Sequence, residues 1–574
     1  MKLSDYVWQF IEQKVADSVF LVSGGGIMHL VDSLGRSNLK SYCCHHEQAV
    51  AIAAEGYGRI KNSPGVALVT TGPGGTNAVT GMAGAWLDSI PMFVVAGQVK
   101  RADITPRDAN GQPVVRAIGF QELNVIDIAK PVCKYAVTVE NENEIRYHLE
   151  KALYLATHGR PGPVFVEIPL DVQAAEIDPD TLLSFQPESW NPGSLERATM
   201  EKIVTLLREA KRPLLIAGNG IRLAGGEEIL WKSLDKFKIN AVTPIFTADD
   251  LVTYDYPYYL GRQGMPGNKA ANYAADNCDL LLIVGERMQL TQVSWDYNKF
   301  APNAKKIMVD IDDNEMKRKQ LSVDLAVHCD AKVFLDELYK QDITLNRWDV
   351  KVEPLNPADL ACDPKYLNVY KFWREIGACN MSFRPGSRNP GLDITTANGM
   401  ASLTPHQALK VSRGQRFLTN AGLGHMGSGL PMAIGASIAR GRQAVICSEG
   451  DGSIMMNLQE LQTVVHHKLP LKIFIVNNNG YYSIRATHTH FFKKIFASDP
   501  ETGVSIPDFS KLIPAWGIAF ERINNDSELD KVKKVMDFDG PIVCELMIDP
   551  DQKMPEKWSA GLYAEIPYVN SSSA

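Results

Sequence analysis

Apolar residues fall along this chain in short continuous runs, separated by stretches with helical spacing. Runs at 18–22, 40–44, 65–70, 90–96 and 164–169 read as strands apolar on both faces, as parallel sheets require. Helical spacing fills the gaps, from a first helix capped by Ser4 and running to Lys14 through Ala49–Arg59. The alternation resumes with a helix over 197–210 and strands at 212–217, 280–285 and 306–312. It resumes again with strands at 393–396, 417–419, 443–447 and 471–476, and a helix over Met455–His467. Strand and helix in turn predict an α/β fold of three doubly wound parallel-sheet domains. Their expected bounds are 1–176, 190–345 and 365–560. A segment rich in Pro, Asp and Ser, 177–196, and a second segment, 346–364, read as linkers.

Composition narrows the class. At 574 residues with 45% hydrophobic and 22% charged content, the chain has ample core for three globular domains. A net charge of −7 leaves no basic footprint for nucleic acid. The apolar runs are of strand length and broken by glycine, so no membrane partner is expected. The N-terminus leads into an amphipathic helix and not a signal peptide. Nine scattered cysteines without a CxxC point to a reducing cytoplasm.

The candidate chemistry sits at the carboxyl ends of predicted strands, where open α/β sheets bind ligands. Gly450-Asp451-Gly452-Ser453 breaks the chain after one strand, and Asn477-Asn478-Asn479-Gly480 follows the next. A carboxylate and an amide oxygen are hard ligands that suit Mg²⁺, which usually completes its shell with phosphates. Glycines let backbone amides approach those phosphates. An acidic turn alone is common; the two motifs together, each after a strand, are more specific.

At these residues the chain resembles the thiamine diphosphate enzymes. The resemblance implies that Asp451, Asn478 and the Gly480 carbonyl hold Mg²⁺, and that Gly450, Gly452, Ser453 and Tyr481 lie along the cofactor. His45-His46-Glu47-Gln48, Thr71-Gly72-Pro73-Gly74-Gly75-Thr76-Asn77 and the run from Asp88 to Val99 resemble the pyrimidine-binding domain of the acetolactate synthase group, with Gly25 in its first turn. Glu47 then matches the glutamate that hydrogen-bonds N1′ of the aminopyrimidine. Through that bond the cofactor can lose its thiazolium C2 proton. By itself, Glu47 would read as a helix N-terminal carboxylate. Asn398-Gly399 and Asn420-Ala421-Gly422-Leu423-Gly424-His425-Met426-Gly427 continue the likeness into a diphosphate-binding last domain. There Gly399 lies by the diphosphate, the Gly424 carbonyl accepts from the cofactor's amino group, and Met426 is an apolar wedge between its rings. Phe120 and Gln121 match substrate-channel residues.

The departures are informative. Glu286-Arg287-Met288-Gln289 replaces an Arg-Phe-Asp-Asp run common in FAD-binding synthases, which points away from FAD in the central Rossmann-like domain. Met400-Ala401 replaces a Gln-His pair, and His425 a threonine. Ala486-Thr487-His488 replaces a Gln-Trp-Gln run that shapes the acceptor pocket, leaving a wider and more polar loop in which His488 can donate to a hydroxylated substrate. The expected activity is decarboxylation of a pyruvate-like 2-oxo acid, with transfer of the acyl anion equivalent to a carbonyl acceptor other than pyruvate. The alternatives are a decarboxylase that releases free aldehyde and a non-catalytic cofactor-binding homologue. The resemblance also implies a homodimer or homotetramer with sites between subunits.

Overall fold

Among the described residues eighteen strands carry the architecture, and their composition explains their placement. A computed structural model of the chain describes residues 1–188, 193, 195–247, 251–352, 355–360, 362–382 and 391–564, without the side chains of 381 and 382. Parts of both expected linkers, 189–192, 194, 353–354 and 361, lie outside the described residues.

The first sheet contains β1 (Ser18–Leu21), β2 (Lys40–Cys43), β3 (Gly65–Val69), β4 (Met92–Gln98), β5 (Tyr135–Thr138) and β6 (Pro163–Pro169), in the order β2-β1-β3-β4-β6-β5. The middle sheet contains β7 (Pro213–Ala217), β8 (Asn240–Pro244), β9 (Tyr259–Gln263), β10 (Leu280–Val284), β11 (Lys305–Asp310) and β12 (Leu325–His328), in the order β12-β11-β10-β7-β8-β9. The last contains β13 (Asp393–Thr396), β14 (Phe417–Thr419), β15 (Val445–Gly450), β16 (Lys472–Asn477), β17 (Ala519–Ile523) and β18 (Ile542–Met547), in the order β14-β13-β15-β16-β18-β17. Every strand pairing within these sheets is parallel. The central strands are buried along their whole length, as sheets covered by helices on both faces demand. The first and last sheets share one order, whereas the middle sheet has the dinucleotide-fold order.

The outer domains meet through two helices, Glu47–Lys61 and Gly429–Ala439. Their backbones touch. A Cβ on Gly435 would lie inside the van der Waals radius of the Ala53 carbonyl oxygen, and one on Gly56 would strike the Met432 carbonyl. Polar struts join the same domains: Arg59 pairs with Glu55 and Asp88, and the Asp88 carboxylate accepts the Ala421 and Gly422 amides at 3.0 and 2.8 Å.

Three local expectations are corrected. Ser4 lies inside the first helix, Leu3–Lys14, and shares a hydrogen bond with Ser33, while extended Lys2 occupies the cap. The helix expected over Met455–His467 starts earlier, at Asp451, and is broken into short pieces before Leu461–His466. The segment carrying His488 is not a loop but the helix Tyr482–Phe492.

Candidate active site

In the last sheet, the connections leave in opposite directions between β13 and β15, and that switch marks a crevice at the strands' carboxyl ends. Four loops converge there. Asp451 opens a short helix directly after β15 and is only 2% exposed. Its Oδ2 accepts the Gly480 amide at 2.9 Å and its Oδ1 the Gly452 amide at 2.8 Å, which fixes the loop after β16 to the loop after β15. Burial pushes its carboxyl up to about 6, against the pull of those amides and of Arg485. Asn478, buried past the end of β16, is held by Arg485, whose Nη2 donates to its carbonyl at 2.7 Å and to its Oδ1 at 3.3 Å.

The remaining loops close the crevice. Asn398, just after β13, donates to the Gly424 carbonyl, joining Gly399's loop to Met426's loop. Gly427 donates to Ser453 Oγ at 2.8 Å, and Asn457 donates to the Gly427 carbonyl at 2.8 Å. The Tyr481 ring lies against Gly452, where any side chain would collide with it. The predicted residues Gly399, Gly424, Met426, Gly450, Asp451, Gly452, Ser453, Asn478, Gly480 and Tyr481 thus come together around one crevice. His425 sits among them, its two ring nitrogens shielded from solvent and without a partner among the described residues. Burial holds its pKa down at about 4, so the ring is neutral near pH 7.

The first sheet has the equivalent switch between β1 and β3. Gly25 lies in the turn after β1, and Glu47 opens the helix that follows β2, 9% exposed. His46 caps that helix, its Nδ1 accepting the Gln48 amide at 3.2 Å, which leaves the Glu47 carboxylate free of capping duty. Asn77, from the helix after β3, donates to Glu47 Oε2 at 3.0 Å. The Gln121 carbonyl presses on Gly72, which a side chain would forbid, so the segment bearing Phe120 and Gln121 folds over the same strand ends. Phe120 is 88% exposed there. Among the described residues no hydrogen bond or ion pair joins Glu47 to Asp451; a bond from the His45 amide to buried Glu460, 2.9 Å, is one of the links between the two halves.

His488 stands apart, half-buried on its helix, its Nδ1 accepting the Phe496 amide at 3.4 Å. Beside it Phe491, Phe492 and Phe496 are largely exposed. Lys134 is structural, capping the carbonyls of His158 and Arg160 at 2.6 and 2.8 Å. The nine cysteines are all free thiols.

Several positioning residues were not found from sequence: Asn77, Asn398, Asn457 and Arg485. Arg485 had one legible signal, a lone cation shortly after the Asn-Gly motif. Asn77 and Asn398 stand inside motifs that carry the resemblance, but no local pattern shows the partners of the three asparagines, which are distant in sequence.

The donor set fits a hard divalent cation completed by phosphate oxygens. It offers one carboxylate and one amide on adjacent strands, and among the described residues no group of three or more His, Cys, Asp or Glu could hold a metal alone. Residues 1–124 match the N-terminal TPP binding domain of thiamine pyrophosphate enzymes, 200–338 their central domain and 397–546 their C-terminal TPP binding domain. The chain is 33% identical over 557 residues to the acetolactate synthase isozyme 2 large subunit of Escherichia coli K12, covering 96% of each. It is 32% identical to the probable acetolactate synthase large subunit of Methanococcus aeolicus, covering 95% of this chain and 91% of that one. It is also 32% identical to the acetolactate synthase large subunit of Cyanidium caldarium, covering 94% and 91%.

Proposed function

The chain belongs to the acetolactate synthase group of thiamine diphosphate enzymes, and from that premise we propose that it decarboxylates a pyruvate-like 2-oxo acid and transfers the acyl unit to a carbonyl acceptor. The observation that carries this reading is the convergence of four loops on Asp451 and Asn478, opposite in chemistry to a single near-buried carboxylate, Glu47, in the first domain. Bound thiamine diphosphate supplies the thiazolium carbon that attacks the 2-oxo acid and then stores its electrons.

This chain's residues do the rest. Asp451, Asn478 and the Gly480 carbonyl hold Mg²⁺ and, through it, the diphosphate. Gly399, Gly450, Gly452 and Ser453 leave space and amides for phosphate oxygens, and Tyr481 packs behind Gly452. Met426 would give the cofactor an apolar support, beside the Gly424 carbonyl. Glu47 holds a proton in common with N1′ of the aminopyrimidine, and Asn77 fixes the carboxylate that does so. Gly25 lies along the cofactor, and Phe120 and Gln121 border the substrate path, with His488 at its outer rim. The helix carrying Ala486, Thr487 and His488 has no bulky wall at those positions, which favours a hydroxylated acceptor larger than pyruvate.

Domain bounds of 1–176, 190–345 and 365–560 accompany this reading. So does a homodimer or homotetramer. Phe120 on the first domain and Phe491, Phe492 and Phe496 on the last leave apolar surface that a second copy would cover, bringing one chain's Glu47 to the other's Asp451. The relatives are named large subunits, so a small partner subunit is a further candidate. Among the described residues no helix is long and apolar enough to cross a membrane, and we place the protein in the cytoplasm. FAD has no part in this reading.

The test is CO₂ release from a panel of 2-oxo acids with thiamine diphosphate and Mg²⁺, with products identified by mass. Slow release, quickened by a hydroxylated aldehyde or ketone with formation of the coupled product, is expected. Free aldehyde irrespective of acceptor would move the chain to the decarboxylases, and acetolactate from pyruvate alone would overturn the acceptor assignment.

A further inference from the structure

The middle sheet carries a cavity that the reaction above does not use. It occupies about 270 Å³ at the carboxyl ends of β7, β10, β11 and β12, where the strand order reverses. Asn219, Glu286, Arg287 and Asp310 line it from the middle domain, and Asp88 and Arg160 from the first. A dinucleotide such as FAD would be the expected occupant of a switch point in this strand order.

The groups present do not suit a dinucleotide. A pyrophosphate needs free amides at the turn after the first strand. Here the Gly218 amide donates to the Val284 carbonyl at 2.9 Å and the Gly220 amide to the Gly285 carbonyl at 2.8 Å. Each lining arginine already has at least one partner. Arg160 spans Asp312 and Glu315, and Arg287 donates to Gln289 at 2.8 Å. Two buried acceptors are unsatisfied. Glu286 is 3% exposed; Thr247 donates to its Oε2 at 3.1 Å, and its Oε1 has no partner among the described residues. Asn219, 9% exposed, has its Oδ1 in the same condition. Buried acceptors without donors bear their full desolvation cost, so a ligand that donates gains most from entering. Burial also pushes the Glu286 carboxyl up to about 7 against the charge of Arg287, which marks how little water stabilises it. A volume of about 270 Å³ lies at the small end of ligand cavities.

We infer that this cavity takes a compact polyhydroxylated ligand, a nucleoside or free sugar carrying no diphosphate, whose vicinal hydroxyls donate to Glu286 and Asn219, and that it does not hold FAD. Carboxylates at strand ends are suited to vicinal hydroxyls. The site also has a line to the cofactor loop. Asp88 borders the cavity and accepts the amides of Ala421 and Gly422, two residues before Gly424.

The inference deepens the exclusion of FAD and is independent of the carboligase reading, because binding is measured without turnover. The experiment is calorimetric titration of the full chain, with thiamine diphosphate and Mg²⁺ present, against adenosine, D-ribose, ADP and FAD, together with the visible spectrum of the purified protein. Adenosine or ribose is expected to titrate to one site per chain, with FAD silent and no flavin absorbance. Glu286→Ala should weaken the bound probe at least about tenfold, and Glu286→Gln, which keeps the shape and one acceptor, should weaken it less. Cofactor binding unchanged in both variants controls for folding. Flavin co-purifying with the protein, FAD or ADP binding more tightly than adenosine, no titration by adenosine or ribose, or a response untouched by Glu286→Ala would each overturn the inference.

Discussion

The first and last domains are twins in topology and opposites in chemistry. Each has six parallel strands in one order, with a switch point between its first and third strands. At that point the last domain presents Asp451, locked by two backbone amides and fitted to a cation. The first presents Glu47, held by one side-chain amide. The difference teaches that the fold fixes where a ligand lies, while the side chains at the strand ends decide what is done to it.

The sharpest way to break that comparison is to remove each carboxylate's charge. Glu47→Gln should lower CO₂ release ~10²–10⁴-fold while cofactor still binds. Asp451→Asn should instead abolish Mg²⁺-dependent cofactor binding. Cofactor titration alongside turnover separates the two, and near-normal turnover in Glu47→Gln would end the proton role. A smaller effect is expected from Arg485→Leu, which frees Asn478 without touching the cation. Mg²⁺ affinity should fall ~10–100-fold, as for outer-shell partners of metal sites, with turnover at saturating Mg²⁺ largely kept.

The twins' contact is tested next. Gly435→Ala puts a methyl into the Ala53 carbonyl and should destabilise the chain by ~1–3 kcal/mol in urea unfolding. An unchanged midpoint would show that the helices are not pressed together. The smallest effect concerns Glu55, which joins Arg59 to Asn420 across the domains. Burial pushes its carboxyl up to about 7, so the folded chain keeps a proton that the unfolded chain releases near 4.5. Its stabilisation is therefore full below about pH 4.5 and declines as pH rises toward 7. Glu55→Gln should flatten that decline, and an identical pH profile of urea midpoints in both proteins would sink the assignment.

Much of the fold was legible because buried parallel strands must be apolar on both faces, a pattern that tolerates few substitutes. The strands of Leu280–Val284 and Lys472–Asn477 stand where apolar runs placed them. Helix starts were less legible. Ser4 has the chemistry of a cap, but the Lys2 backbone bridges to Glu176 and starts the helix earlier, leaving Ser4 to Ser33. The helix under His488 was hidden by its threonines and histidines, which have weak helical preference.

The sequence by itself determined the α/β fold and the two turn motifs after β15 and β16, because periodicity and turn chemistry are local. Only the tertiary structure decided which polar groups meet. Asn398 reaches Gly424, Arg485 clamps Asn478, Asp88 holds the loop before Met426, and Glu286 is buried with an acceptor to spare. Those pairings depend on how strand ends are juxtaposed by sheet order, a long-range property that no local pattern encodes.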